Sequence, residues 1–485
     1  MNFPSYSEWQ SPGLKVLNDD QIYEIIQAAY IILEETGVKI PHSGAQKLLK
    51  QAGAIVKGDR IIVPRHIIQA ALVTAPKGFR IYNRDGKPAL DMTNRKSYFG
   101  TSTASPKCVD ARTGEIHETR IADIANGAVI ADALEHIDWV MPFGSAQDVP
   151  HQAIEVYEFE AVANNTSKPI VFCGYTPRGT ELVFEMAAAV AGGFEELRQR
   201  PFIISYPEPI TPLFYPAEVV DKMFVTADCL QPQLTCGAQQ PGGTSPITMA
   251  GSLAQSLAES LFSIALAQLY KPGCLCFMGC SYITLNMDNG LMSIAAPEAN
   301  LGYAAQAQIA QHFGLPTWGL AGGTDSKLID AQAGAEAAFT MLNQALAGHS
   351  LIHDVGYMDT SMLCSPDQLV LGNELAGWVN RFIAGIRVNA ETLALEVINK
   401  VGPGGNYLRN SHTVKNFRRE WWKPSLFTRE AYNKWVDNGS TDIRERIRKR
   451  VVEILETHKP TPLPDAVKAK VAEIREKGSK ELTKK

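Results

Sequence analysis

The chain has 485 residues, with 46 lysines and arginines against 51 aspartates and glutamates; 45% of its residues are apolar and 20% are charged. This apolar content and low charge exclude a largely disordered chain. The formal net charge of -5 argues against a nucleic-acid-binding protein, because such proteins normally carry a basic excess. Length alone allows two or three domains, although a barrel of about 250 residues also forms one unit.

The first residues, MNFPSYSEWQSPG, have neither the basic nor the apolar region of a signal peptide. No charge-free apolar run reaches about 18 residues, so we expect no membrane-spanning helix. Eight cysteines are sparse for this length, and several fall in apolar stretches. These features predict a cytoplasmic protein with reduced, buried thiols.

The N-terminal segment, residues 1–96, is predicted to form a mostly helical cap. Asn18 is a suitable N-cap for its first helix, because Gln21 stands at the capping-box position and isoleucines follow at helical spacing. Two further helices are predicted over residues 43–51 and 64–73.

The middle region, residues 97–390, repeats one pattern eight times: a short apolar run that ends in glycine or a polar turn, and then a helical segment. The eight runs, each expected to be a strand, are 97–100, 139–144, 169–174, 201–206, 233–237, 274–279, 316–319 and 350–356. Apolar strands alternating with helices predict a parallel sheet covered by helices, and eight such units predict a (β/α)8 TIM barrel. The alternative is an open doubly wound sheet, which more usually has a glycine-rich phosphate turn after its first strand.

The C-terminal segment, residues 391–485, is predicted to be a helical extension. Residues 441–457 carry isoleucine and valine on one helical face, which predicts an amphipathic helix. Residues 466–485 are rich in lysine and glutamate, which predicts a solvated helix with a frayed end; an acidic partner is the alternative interpretation.

In a parallel barrel the reaction takes place at the carboxyl ends of the strands, so residues that follow the runs are the site candidates. Aromatic residues occur there repeatedly, whereas cationic residues are few. Ring faces bind a cation whose charge is spread over methyl groups, such as a quaternary ammonium, which has no N–H to donate. This pattern predicts a cation site built from Phe99, Tyr206, Trp318 and Tyr357; ordinary barrel packing of these rings is the alternative.

The polar candidates at the same strand ends are Glu208, Gln239, Asp325, Lys327 and His353. We expect His353 to hold an anionic group of the substrate, with Gln239 or Arg178 as lesser candidates; a packed strand histidine is the alternative. Asp325 and Lys327 are the two catalytic candidates.

A metal site is the weaker interpretation of the remaining polar residues. Cys274, Cys276 and Cys280 cluster locally, but no second cysteine pair stands at zinc-finger spacing, and small core residues of a strand explain them better. His349 and His353 are four residues apart, which suits one substrate-facing histidine and one buried histidine better than a metal pair. We therefore expect no bound metal.

Several sequence blocks resemble the trimethylamine:corrinoid methyltransferase family over almost the whole chain. They are Ile32-Leu-Glu-Glu-Thr-Gly-Val, Leu48-Leu-Lys-Gln-Ala-Gly-Ala, Val109-Asp-Ala-Arg-Thr-Gly-Glu, Gly323-Thr-Asp-Ser-Lys, Asp330-Ala-Gln-Ala-Gly, Val401-Gly-Pro-Gly-Gly-Asn-Tyr-Leu, Ser411-His-Thr and Phe417-Arg-Arg-Glu-Trp-Trp-Lys-Pro. The founding enzymes of that family use pyrrolysine to demethylate trimethylamine. Because this sequence contains only standard residues, it resembles the branch without pyrrolysine, typified by glycine betaine:corrinoid methyltransferase.

The resemblance implies transfer of a methyl group from a quaternary amine to the Co(I) corrinoid carried by a small partner protein. Glycine betaine is the first expectation; proline betaine, carnitine and choline share its cationic head. Because a corrin ring is too bulky to enter a packed barrel, we expect the partner to dock transiently at the barrel mouth, on the loops after Gly279, Gly323 and Gly356 and on residues 402–405. We further expect a homo-oligomer. A non-catalytic quaternary-amine binder and an unrelated barrel enzyme, such as a lyase, are the alternatives.

Overall fold

The computed structural model of the protein describes residues 9–10, 12–93, 96–279 and 281–484. The helices of the N-terminal cap are α1 (Asp19–Ile31), α2 (Ser43–Gln51) and α3 (Arg65–Thr74). Helix α1 begins as the sequence predicts: the side chain of Asn18 accepts from the Gln21 N–H, and the Gln21 side chain accepts from the Asn18 N–H. A three-stranded antiparallel sheet accompanies these helices, with strands Val38–Lys39, Ile55–Lys57 and Arg60–Ile62.

Eight parallel strand segments form the centre of the fold. They are β1 (Tyr98–Thr101), β2 (139–140), β3 (Ile170–Phe172), β4 (Ile203–Ser205), β5 (Gln233–Leu234), β6 (Cys276–Phe277), β7 (Trp318–Leu320) and β8 (Leu351–Val355). They pair in chain order, and β8 pairs back with β1 through Leu351 and Tyr98. Isolated parallel bridges join β2 to both neighbours and connect the end of β6 to the start of β7. The sheet is closed, which confirms the predicted (β/α)8 barrel and excludes the open sheet.

A helix follows every barrel strand and covers its outer face. These helices are α4 (Ile121–Ala133), α5 (Ile154–Asn165), α6 (Pro177–Ala191) with the short α7 (Phe194–Gln199), α8 (Ala217–Asp228), α9 (Met249–Tyr270), α10 (Pro297–Phe313), α11 (Ala331–Ala347) and α12 (Pro366–Ile383). Between β1 and α4 the chain adds an antiparallel hairpin, Lys107–Val109 with Ile116–Glu118. In the part of the chain that the structure describes, no helix is long and apolar enough to cross a membrane.

The strand register decides which side chains point into the barrel. Neighbouring residues of paired strands lie on the same face, and successive residues alternate between faces. Trp318, Leu351 and Tyr98 are register partners and belong to the interior core, whereas Ile352 and Phe99 are partners on the opposite face and pack with the surrounding helices.

The cap does not stand apart from the barrel. Ile25 and Ile68 of the cap belong to the same buried core as Leu257 and Leu261 of α9. The cap therefore covers α9. The domain boundary predicted at residue 96 stays a prediction.

The C-terminal segment contains α13 (Ala390–Leu393), α14 (Leu395–Val401), α15 (Ser411–Glu420), α16 (Tyr432–Asp437), α17 (Ile443–Thr457) and α18 (Asp465–Leu482). Helix α17 buries Ile447, Val451 and Ile454, as its amphipathic pattern predicts. The prediction of a solvated helix over residues 466–485 is wrong, because α18 packs on α5 and α6.

Small residues make this packing of α18 possible. Gly478 faces Leu182 of α6 so closely that an added Cβ would lie 2.6 Å from a Leu182 methyl carbon. Next to it, the hydroxyl of Ser479 lies 3.1 Å from the Tyr157 hydroxyl of α5. Close approach at Gly478 and Ser479 adds to the burial of Val471 and Ile474, and together these contacts fix α18 in place.

Gly100 should be the most substitution-sensitive position of β1, because an added Cβ would lie 2.2 Å from the Trp139 ring. We expect Gly100→Ala to lower the free energy of unfolding by about 1–3 kcal/mol through overpacking. Gly334→Ala in α11 is the matched control, since its Cβ would have no neighbour within 4 Å. Denaturant titration of both variants checks the difference, and equal stabilities would contradict the interior position of Trp139.

Candidate active site at the barrel mouth

A cavity of about 450 Å³ opens at the carboxyl ends of β3, β4 and β5, the end of the barrel where the sequence predicts the site. It is lined by Cys173, Gly174, Tyr175, Tyr206, Glu208, Pro209, Ile210, Thr211, Lys222, Ala238 and Thr244. Two predicted residues, Tyr206 and Glu208, therefore meet in one cavity. Its volume suits a small organic ligand.

Tyr206 lies between this cavity and the barrel interior. It directly follows β4, and its ring centroid is 5.6 Å from that of Trp318. Its hydroxyl is 3.2 Å from the Cys236 sulfur, and burial raises the pKa of Tyr206 well above its ordinary value. The phenol therefore stays neutral and presents a ring rather than a charge to the cavity.

Below Tyr206 the barrel is filled by stacked rings. Trp139 and Trp318 lie 5.4 Å apart between centroids, Trp318 stacks on His353 at 5.1 Å, and Tyr357 meets His353 edge-on at 5.7 Å. Both tryptophans are fully buried. A ligand that enters the mouth consequently stops at the level of Tyr206. Trp139 was not among the predicted site residues, although it begins the second predicted strand.

His353 is buried, and the backbone beside it is unusual. The β8 register shifts between Ile352 and Val355, and Asp354 adopts a φ of 95°, which a residue with a side chain rarely does. The carboxylate of Asp354 lies against the Nδ1 atom of His353. Within the described residues, the Nε2 atom of His353 has no hydrogen-bond partner. Such strain is characteristic of functional sites.

Glu208 and Lys222 bring opposite charges to the cavity. The Glu208 side chain reaches solvent through the mouth. Desolvation by the surrounding protein raises the pKa of its carboxyl, while the charges of Lys222 and His353 act to lower it. Lys222 of α8 is buried, and its Nζ atom donates to the Gly174 carbonyl at 2.8 Å. Sequence reasoning missed Lys222, since only strand ends were searched; a lysine on the apolar face of a predicted helix was the available signal.

Phe99, Gln239 and Arg178 are among the predicted residues that do not line the cavity. Phe99 points outward and packs between the sheet and the helices, so the prediction of Phe99 as a ring of the mouth is wrong. Gln239 is fully buried, and its amide, oriented for best pairing, meets the α9 backbone at Ser252 (3.1 Å) and Ser256 (3.0 Å). Arg178 pairs instead with Glu481 of α18 at 2.9 Å, besides two glutamates of α6.

Tyr357 does not line the cavity, and its hydroxyl donates to the Thr103 carbonyl. Its ring therefore supports His353 from the side rather than facing the cavity.

Asp325 and Lys327 organise the loop after β7. Asp325 accepts from the Ser293 hydroxyl, from the Ile294 N–H at 3.1 Å and from the Thr360 hydroxyl at 3.1 Å. Asp325 thereby joins three loops of the mouth. Lys327 is exposed and pairs with Asp359 at 3.2 Å. The two residues sit at the rim, and their catalytic role stays a prediction.

The residues considered for metal binding have other partners. Among the described residues, no three histidine, cysteine, aspartate or glutamate side chains come together as a metal site. Cys274 and Cys276 are buried core residues, and Cys280 lies outside the described residues. His349 is buried with its Nε2 atom 2.9 Å from the Tyr303 carbonyl, and burial lowers its pKa to about 4.

Two larger cavities, of about 1320 and 710 Å³, lie in the C-terminal segment around Trp421 and Trp422. They are bordered by arginines, and strand-end residues do not line them. We place the candidate active site at the mouth because the charged pair and the stacked rings converge there.

A closed barrel with a ring-floored, charged cavity at its mouth is the architecture of a barrel enzyme with a small-molecule substrate. The family model "Trimethylamine methyltransferase (MTTB)" matches residues 5–482, and the chain belongs to this family. It is therefore a methyltransferase, as the sequence resemblance predicts.

Two relatives and one solved structure illustrate the similarity. The chain is 31% identical over 466 residues to trimethylamine methyltransferase MttB of Desulfitobacterium hafniense, covering 96% of this chain and 94% of the relative. It is 28% identical over 473 residues to a glycine betaine methyltransferase of the same species, covering 97% and 98%. The monomethylamine methyltransferase MtmB of Methanosarcina barkeri aligns at 12% identity and a TM-score of 0.49, covering 92% and 95%.

Asp325 and Lys327 should differ sharply on mutation. Asp325→Ala leaves three donors without their acceptor, so we expect a loss of about 1–3 kcal/mol in the free energy of unfolding. Lys327→Ala removes an exposed ion pair and should change stability by less than about 1 kcal/mol. Thermal unfolding together with hydrogen exchange at residues 292–294 checks this; an Asp325→Ala variant with unchanged exchange would show that the three loops hold without it.

Proposed function

We propose that the protein transfers a methyl group from a quaternary amine, with glycine betaine as the first candidate, to the Co(I) corrinoid of a partner protein. The observation that carries this proposal is the mouth cavity, where a neutral ring and a carboxylate, Tyr206 and Glu208, face a space closed from below. The relative named for glycine betaine supports the choice of substrate. We place the protein in the cytoplasm, because its cysteines are few and fall in apolar stretches.

The proposed reaction requires the site mainly to position the substrate. A Co(I) corrinoid is a strong nucleophile that accepts a methyl group by in-line displacement. A quaternary ammonium then leaves as a neutral tertiary amine, so the leaving group needs no proton. The residues of this chain need only bind the cation, orient one methyl carbon outward and exclude water. Tyr206 and Glu208 provide the first of these functions through ring face and charge.

The rim of the mouth carries the surface that we propose for the corrinoid partner. The loops after β4 to β8 each expose apolar side chains, which are 50–67% accessible. They are Ile210, Ile247, Met287, Leu291, Leu328 and Met362. A ring of exposed apolar residues around a site is typical of a protein-binding surface. Because a corrin ring cannot enter a filled barrel, the partner has to cover this rim.

Residues 402–405 fit this docking surface less well than the rim loops. They follow the short paired strand 386–387. That strand comes after the C-terminal end of α12, which is the end away from the mouth. The Gly405 N–H bonds within the same turn, to the Gly402 carbonyl. We therefore restrict the proposed docking surface to the rim loops.

A substrate panel tests the proposed function directly. Glycine betaine, proline betaine, carnitine, choline and trimethylamine are each incubated with the enzyme and cob(I)alamin, and methylcobalamin formation is followed by absorbance. We expect turnover with a quaternary amine. Turnover with trimethylamine alone would overturn the proposal.

The Tyr206 ring should matter for substrate affinity. A cation over one desolvated ring gains about 1–2 kcal/mol, so Tyr206→Leu should raise KM about tenfold while Tyr206→Phe changes it little. Phe99→Leu is the control, because that ring faces the helices and its loss should affect stability only. Steady-state kinetics of the three variants checks this, and an equal rise for Tyr206→Leu and Phe99→Leu would place the cation elsewhere.

Rim variants should separate docking from chemistry. Leu328→Asp and Lys327→Glu should reduce the rate with the partner-bound corrinoid about tenfold or more and spare the slower rate with free cob(I)alamin. Val73→Asp, at an exposed apolar position of the cap, should change neither rate. If both rates fall together in the rim variants, the loops serve substrate binding and not docking.

We also propose that the chain forms a homo-oligomer through an apolar surface at the C-terminal end of α12. Trp378, Phe382, Ile386 and Trp421 expose between 49% and 79% of their surface on one side of α12. This much neighbouring apolar surface is uncommon on a monomer. Sedimentation velocity should show an oligomer that Ile386→Asp weakens, and a wild-type monomer at every concentration would contradict this proposal.

A further inference from the structure

Lys222 lines the mouth cavity but has no role in the methyl transfer proposed above. Among the described residues that line the mouth cavity, Lys222 is the one basic side chain and Glu208 the one acidic side chain. The cavity thus carries one charge of each sign, which complements a ligand that also carries one of each. A quaternary amine with a carboxylate, a betaine, is such a ligand.

The hydrogen bonding of Lys222 leaves part of its ammonium group available. An ammonium has three N–H donors, and the structure describes one bond from Nζ, to the Gly174 carbonyl at 2.8 Å. In the described part of the chain, no carboxylate lies within ion-pair distance of Nζ, although the side chain is only 7% exposed. A buried ammonium is costly without an anionic partner, so an anion in the cavity would be bound strongly.

His353, which the sequence predicts for the substrate carboxylate, is less suitable. The carboxylate of Asp354 already lies against its Nδ1 atom, so a second carboxylate there would meet a negative charge. Trp139 and Trp318 stack near its ring and Tyr357 meets it edge-on, and His353 is not among the residues that line the cavity. Lys222 stands in the wall of the open cavity instead.

We propose that Lys222 binds the carboxylate of a zwitterionic substrate while Tyr206 and Glu208 hold its ammonium, so that the enzyme selects betaines over cations without a carboxylate. This inference rests on the proposed function. The neighbouring acids Glu155, Glu208 and Glu218 support the charged form of Lys222 against the effect of burial, which lowers its pKa. Lys222 is thus a specificity residue and takes no part in methyl transfer.

Binding and kinetics of two ligands test the role of Lys222. Lys222→Met keeps most of the length of the side chain, and Lys222→Gln keeps an N–H donor and serves if the first variant folds poorly. We expect either variant to raise the glycine betaine Kd, measured by calorimetry without corrinoid, about tenfold or more. The Kd of tetramethylammonium, which lacks the carboxylate, should stay within about twofold, and kcat for glycine betaine should change less than KM.

Controls separate the possible failures. Lys271→Met removes a lysine that pairs with Asp228 on the surface and should alter neither Kd. Equal losses of both ligands, or no loss of either, would overturn the role of Lys222 while leaving the proposed function intact. A wild-type enzyme that binds no quaternary amine at all would overturn both proposals.

Discussion

The stacked rings inside the barrel are the constraint on which the site depends. Trp139 and Trp318, with His353 against the latter, occupy the space beneath the mouth, and Gly100 provides the room for Trp139 by having no side chain. A barrel filled in this way cannot admit a substrate to its centre. The cavity is left at the rim, where Tyr206 forms the floor and the segments after β3, β4 and β5, together with Lys222 of α8, form the wall.

This arrangement explains why a methyltransferase can use a packed barrel. With the proposed corrinoid acceptor, which is too large to enter, the reacting carbon has to face outward, and the cavity wall has to hold the remaining groups of the substrate. Opposite charges on Glu208 and Lys222 and the neutral ring of Tyr206 suit that task. In the proposed reaction, the exposed apolar rim is the surface on which the acceptor protein docks, and that docking keeps water out.

The fold was accessible from the sequence because its signal is repeated: eight apolar runs, each followed by a helix, locate all eight strands. Side-chain direction was less accessible. Phe99 and Gly100 are adjacent in β1, and successive residues of a strand point to opposite faces of the sheet. Gly100 therefore faces Trp139 in the interior, and Phe99 faces the helices. Lys222 was missed because it reaches the mouth from a helix, and α18 was judged by its charges although Gly478 and Ser479 let it pack closely. Such contacts depend on tertiary packing, which local composition does not predict.

The most direct test of this account is to locate the cation in the enzyme. In the arsenic analogue of glycine betaine, arsenic replaces nitrogen, and its anomalous X-ray scattering marks the position of the positive charge in a crystal. The account predicts a single strong peak in the mouth cavity, within about 6 Å of the Tyr206 ring centroid, with a methyl group directed to solvent. A peak in the C-terminal cavities near Trp421, or among the rings below Tyr206, would contradict it.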